Sequence, residues 1–182
     1  MKHYFHHEQK KGGKTIIIDA AALNDTPYWS NEVENIEIMV MYAGGEEIES
    51  KIVNDYGEAK RVFNGYVAKY FPLSGKYAKL RDDLKRALQA GETVERADPD
   101  DGGTCNFDGT AVLLPRWTEK LVERAAEEAG TGCFKWDLWK THYYVFRPKT
   151  RGRANARSRN AEAVTKAMMS YGYDCMDYQQ AD

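Results

Sequence analysis

The sequence predicts an α+β protein in two parts. Three observations lead there: runs rich in β-branched residues open the chain, and two segments with three- and four-residue apolar spacing follow them. Beyond an acidic stretch containing proline and glycine, strand and helix patterns then alternate.

The first strand expected is KTIIIDA (14–20), a short β-branched run. After a polar loop containing Pro27 comes NIEIMVMY (35–42), where Ile36, Ile38 and Val40 share one alternating face. Gly44 and Gly45 supply a turn into EEIESKIV (46–53), which completes a three-stranded antiparallel meander. Asp55 followed by Glu58 has the spacing of a capping box. Ala59, Val62, Phe63, Tyr66, Val67 and Tyr70 then line one face of a helix that Pro72 ends. A second helix opens at Ser74, buries Tyr77, Leu80, Leu84, Ala87 and Leu88, and has Gly91 in the position of a C-terminal cap. The stretch ETVERADPDDGG (92–103) has the composition of a linker, which divides the chain into 1–95 and 96–182.

The second part reads as strand 110–115, helix 118–129, strand 132–136, strand 141–146, helix 158–171 and strand 173–178. The helices bury Leu121, Val122, Ala125 and Ala129 in one case, and Ala161, Val164, Met168 and Tyr171 in the other. This β-α-β-β-α-β succession is the ferredoxin-like order, and right-handed crossovers make that its simplest compact arrangement. Fold of this kind carries no function by itself.

With 182 residues, 42% of them hydrophobic and 30% charged, the chain is long enough to bury a substantial core. No apolar run approaches the ~20 residues that span a bilayer, and the start MKHYFHHEQKK lacks the apolar segment of a secretory signal, so a cytoplasmic protein without membrane contact is expected. Cys105, Cys133 and Cys175 are scattered without a paired spacing, which argues against a disulfide framework. A net charge of −2 gives the whole molecule little attraction for nucleic acid, although a local patch can differ.

The loop DGGTCNFDG (101–109) holds the first candidate chemistry. A catalytic thiol needs a base or a positive field, and His142 is the nearest-looking histidine, with no sequence signature tying it to Cys105. The alternative is a turn, in which Gly102 and Gly103 bend the chain and Asn106 and Asp108 accept from local amides. A zinc set of Cys105, Cys133, Cys175 and His142 lacks the close ligand pairs of structural sites, and no metal or cofactor is assigned. His3, His6 and His7 with Glu8 form a further cluster, on a tail or on a first strand.

The basic stretch RPKTRGRANARSR (147–159) is the main candidate binding site. Arg147, Lys149, Arg151, Arg153, Arg157 and Arg159 bring six cations with no acid among them, suited to a phosphate backbone or an acidic protein surface. Arginine predominates, and its guanidinium makes forked contacts with phosphate and carboxylate. Acidic groups stand opposite in character: Glu32, Glu34 and Glu37, then Glu46, Glu47 and Glu49, then Asp98, Asp100 and Asp101. The aromatics Trp117, Phe134, Trp136, Trp139, Tyr143 and Tyr144 crowd into the second part, where exposed rings on a sheet stack unpaired bases or anchor a protein interface.

With DGGTCNFDGTAVLLPRWTEKLVERAAEEAGTGCFKW and the closing YGYDCMDYQQAD in view, the chain resembles anti-CRISPR proteins, small inhibitors of Cas nucleases carried on mobile genetic elements. The resemblance implies a non-enzymatic protein that binds the guide-loaded type II CRISPR-Cas effector nuclease and stops cleavage of target DNA. That effector must read a short duplex motif, open the DNA and dock its nuclease domain, each a step an inhibitor can block. On this reading the segment from Arg147 to Arg159 meets guide RNA, target DNA or an acidic protein surface. Two other readings stand beside it: a nucleic-acid-binding accessory protein of a mobile element, and a thiol enzyme centred on Cys105.

Overall fold

The computed structural model describes residues 3–23, 35–97, 102, 108–138, 141–147, 150 and 154–179. Among them are four helices and two four-stranded antiparallel sheets, so the protein is α+β. By contact the chain divides into two units, Met1–Pro72 and Leu73–Asp182.

The first unit is a meander of β1 (His3–Lys11), β2 (Lys14–Ala22), β3 (Ile36–Tyr42) and β4 (Glu47–Val53), followed by α1 (Tyr56–Tyr70). Ile16, Ile18 and Ala20 of β2 and Ile36, Ile38 and Val40 of β3 alternate onto the face that α1 covers with Ala59, Phe63 and Val67. Asp55 caps α1 by accepting from the Glu58 amide at 2.7 Å. The reciprocal half of the expected capping box is replaced: Glu58 Oε1 accepts from Lys51 Nζ at 3.1 Å instead.

The meander has four strands rather than the three expected, because HYFHHEQKK pairs with β2 as an edge strand. Phe5 earns its place by packing against Phe63 at 5.3 Å between ring centroids, and His7 stacks near Phe71 at 4.9 Å.

The second unit comprises α2 (Gly75–Ala97), β5 (Gly109–Leu113), α3 (Glu119–Ala129), β6 (Gly132–Leu138), β7 (Thr141–Arg147), α4 (Ala154–Ser170) and β8 (Cys175–Tyr178). The strands lie in the order β6-β7-β5-β8, all antiparallel. The sheet packs Val112, Tyr144, Phe146 and Cys175 against Val122, Ala125 and Ala126 of α3 and Val164 and Met168 of α4. Thr110 and Thr165, both buried, share a hydroxyl hydrogen bond of 2.9 Å that ties α4 to β5.

Helix α2 differs from expectation in extent and in company. It continues past Gly91 to Ala97, and its buried Leu80, Leu84 and Ala87 join the core of the second unit by packing on α3 and α4. The units therefore divide between Pro72 and Leu73, whereas composition placed the division at 95/96. Gly91 reads as a helix stop in sequence, but here it serves close approach. A Cβ at that position would stand 2.3 Å from Asn160 Oδ1 and 2.8 Å from Val164 Cγ2. Helix α4 likewise begins at Ala154, four residues ahead of the Ser158 expected, so the end of the basic stretch is helical.

Candidate functional site

In an antiparallel sheet, alternate residues face opposite sides. With α3 and α4 on one side of the second sheet, the other side receives Phe134, Trp136 and Leu138 of β6, and Thr141, Tyr143, Val145 and Arg147 of β7. It also receives Gly109, Ala111 and Leu113 of β5 and Met176 and Tyr178 of β8. These positions contain no acid, and four of them are aromatic.

The rings form one connected group. Tyr178 meets Phe134 at 5.7 Å and Trp136 at 5.0 Å between centroids, both edge to face, and Trp136 meets Tyr143 at 5.9 Å. Tyr178 on β8 reaches the β6 rings past β5 and β7, and the β5 residues it crosses are small. Gly109 pairs with Tyr178, Ala111 lies next to it, and a side chain at Gly109 would meet the Phe146 carbonyl oxygen at 2.7 Å. The Arg147 guanidinium then lies over the Phe134 ring at 4.5 Å, a cation–π contact that places a planar positive group on the aromatic surface. Phe134, Trp136, Tyr143 and Tyr178 are each partly exposed, while Val145 and Ala111 beneath them are fully buried.

The aromatics that crowd the second part thus separate into two sets. Tyr144 faces the helices and is buried, and Trp117 packs edge to face on Tyr77 at 5.0 Å beside α2. Phe134, Trp136 and Tyr143 face outward, and Trp139 lies outside the described residues. Tyr178 escaped the sequence reading. The alternation of CMDY around the buried Cys175 is the signal that would have found it.

Of the basic stretch, Arg147 ends β7 on the aromatic face, and Arg157 and Arg159 are half-buried on the first turns of α4. Lys149, Arg151 and Arg153 lie outside the described residues, as do Cys105, Asn106, Glu32, Glu34, Asp98, Asp100 and Asp101. The structure does bring the ends of the two singled-out segments together. The Asn155 amide donates to the Gly102 carbonyl at 3.0 Å, and Ser158 donates to Asp108 at 2.6 Å.

The remaining cysteines are set away from reactivity. Burial, helped by the nearby carboxylates Glu123 and Glu127, pushes the Cys133 thiol up to about 12, and burial followed by Asp174 pushes Cys175 up to about 11. Nucleophilic sulfur requires thiolate. Alkylation of the native protein with iodoacetamide near pH 8 is therefore expected to leave Cys133 and Cys175 unmodified by peptide mass mapping. Both become reactive once the chain is unfolded in denaturant.

On the first unit, a shift of register between His3 and Phe5 puts His3 on the same side as His6. Both then donate to one carboxylate, His3 Nδ1 at 2.7 Å and His6 Nδ1 at 3.2 Å from the two Asp19 oxygens. His7 points to the opposite face, against Phe71. Among the described residues no group of three His, Cys, Asp or Glu side chains is placed to hold a metal ion. His142 donates to Asp137 at 2.6 Å on the exposed rim of the second sheet. No described helix is long and apolar enough to cross a membrane.

Chemically, the described positions of the outward sheet face offer flat apolar rings, one guanidinium and few hydrogen-bonding groups. Set against protein-family profiles, curated proteins and solved structures, the chain matches none.

Proposed function

We propose that this chain is a non-enzymatic binding protein, that its partner is the guide-loaded type II CRISPR-Cas effector nuclease in the cytoplasm, and that binding blocks cleavage of target DNA. The observation that carries a binding role is the face of Phe134, Trp136, Tyr143 and Tyr178 topped by Arg147. Aromatic residues and arginine are the side chains in which interface energy concentrates. The choice of partner rests on the resemblance to anti-CRISPR proteins. We read the second unit as ferredoxin-like, which its element succession and strand order support, with α2 as an added helix.

The test is cleavage of a matched DNA target by guide-loaded type II effectors from several sources, with and without the protein, at fixed salt. Inhibition that persists in excess unrelated DNA is the expected result. Unchanged cleavage across the panel overturns the choice of partner.

A second reading, a nucleic-acid-binding accessory protein of a mobile element, draws on the continuation of β7 from Arg147 into further cations. Neutralising Arg151, Arg153 and Arg157 together separates the two. Salt-dependent binding of free DNA or RNA disappears under the second reading, whereas an inhibitor keeps its protein contact.

A further inference from the structure

We infer that β6 is the contact of a symmetric dimer, in which this edge strand pairs antiparallel with β6 of a second copy of the chain about an axis at Trp136. The inference does not depend on what the outward sheet face binds.

Strand β6 closes one end of the second sheet and has β7 alone for a neighbour. The ladder fixes which of its backbone groups are left over. The Leu113 amide donates to the Asp174 carbonyl at 2.8 Å, so Leu113 turns its backbone to the β8 side and Val112 turns to β7. Carried across the paired residues, this alternation turns Tyr144 to β5, Tyr143 and Val145 to β6, and Phe134, Trp136 and Leu138 back to β7. Cys133, Lys135 and Asp137 therefore direct their amides and carbonyls out of the sheet edge, where they form a template for another strand.

The side chains select which strand that is. With the two-fold axis at Trp136, Lys135 stands opposite Asp137 of the second copy and Asp137 opposite its Lys135, so unlike charges meet at both symmetric positions. Phe134 meets Leu138 of the second copy on the other face, and the two Trp136 rings face each other. The backbone agrees with this register. Lys135 and Asp137, which turn outward, become the hydrogen-bonded pair, and Trp136 falls at the non-hydrogen-bonded position, where side chains approach most closely. Moving the axis to Lys135 or to Asp137 sets like charges against each other. Lys135 and Asp137 are both exposed, and Lys135 has no ion partner among the described residues.

The other edges suit a second copy less well. Strand β8 has only four residues, and the pairings of β1 and β4 each carry a shift of register. The charges of β4 are also taken up within the chain, Glu49 by Lys69 and Lys51 by Glu58. Pairing at β6 joins two four-stranded sheets into one and carries the Phe134 and Trp136 rings across the axis as a single surface.

The experiment is sedimentation velocity of the whole protein at concentrations from about 1 to 100 μM. A monomer–dimer equilibrium is the expected result. Lys135→Glu and Asp137→Lys each set like charges together at both symmetric positions, and each should weaken self-association about tenfold. Mixed in equal amounts, the two variants again oppose unlike charges, and their heterodimer should recover the unaltered affinity to within about threefold. Both substitutions lie on an exposed edge, and unchanged unfolding midpoints certify the fold. Trp136→Cys reads the register directly, because only an axis at this position sets the residue against itself, at a Cα separation of about 4.5 Å that a disulfide can span. Mild oxidation should link two chains there, as read by peptide mass mapping.

A protein that stays monomeric to about 100 μM overturns the inference. So does a dimer indifferent to both charge reversals, which places the contact elsewhere. Weakened variants that mixing does not restore, or a Trp136→Cys protein that forms no link at that position, refute the register and the inference with it.

Discussion

Gly91→Ala is expected to destabilise the protein by about 2 kcal/mol in urea unfolding, although alanine is the better helix former by about 1 kcal/mol. Two effects compete at this position. The propensity gain is local to α2, while the new methyl group must enter space held by Asn160 Oδ1 at 2.3 Å and Val164 Cγ2 at 2.8 Å. Both neighbours are fully buried on α4, and the Asn160 amide is anchored by donating to Glu95 at 2.7 Å. Neither swings aside, so the helices must part, and overpacking of this kind typically costs about 1–3 kcal/mol. Gly65→Ala is the counterpart. Gly65 is exposed in the middle of α1 with nothing within 4 Å of a new Cβ, so the same substitution should stabilise by about 1 kcal/mol. Equal and positive effects at both sites would show that α2 and α4 are not in such close contact. Asn160→Ala combined with Gly91→Ala should recover part of the loss, because the two changes are coupled through one contact.

Asp83→Ala should cost more, about 3 kcal/mol, in the same measurement. Asp83 is 1% exposed and accepts from Lys79 Nζ at 2.6 Å, from Tyr173 Oη at 2.8 Å and from Arg86. Removing the carboxylate leaves the Tyr173 hydroxyl, itself half-buried, without its acceptor and separates two cations from their counter-charge. The estimate sits at the low end for a broken buried pair because Lys79 and Arg86 extend into solvent, where water replaces part of the loss.

The same carboxylate sets an acid limit. Burial alone would raise its pKa, but hydrogen bonds from Lys79, Tyr173 and Arg86 outweigh that and hold it below the ordinary carboxylate value. A folded-state pKa below that of the unfolded chain means stability that is fully present above about pH 4 and is lost as pH falls through the folded value. Asp83→Asn should therefore flatten the decline of unfolding free energy below about pH 4. An acid limb identical to that of the unaltered protein would remove Asp83 as its source.

How far the sequence could be read depended on whether local pattern or distant contact settled each question. Helix α1 was legible because Ala59, Phe63 and Val67 repeat at the helical interval beside a capping aspartate. Strand β1 was not, since HYFHHEQKK is polar and exposed along most of its length, as an edge strand can be when one neighbour supplies its pairing. Gly91 carries the mark of a helix end, and only the presence of α4 shows that it is there to be small. Phe134, Trp136, Tyr143 and Arg147 were each visible as candidates. Their assembly depended on the pairing of β6 with β7, and Tyr178 enters only through the pairing of β8 with β5.

That last pairing bears on the order in which the molecule is made. The first sheet joins each strand to its neighbour in sequence, so its contacts close as quickly as the chain emerges, and structures rich in such local pairs fold fast. The second sheet is different: its strand β5 waits for β7 on one side and for β8 on the other, with Gly109 meeting Tyr178 only after the intervening helices and hairpin exist. During synthesis the N-terminal unit can be complete while β5 still lacks both partners. The aromatic face is consequently completed only when the C-terminal strand is in place, and until Tyr178 arrives its other rings lack that cover on a nascent chain, where exposed apolar surface favours aggregation.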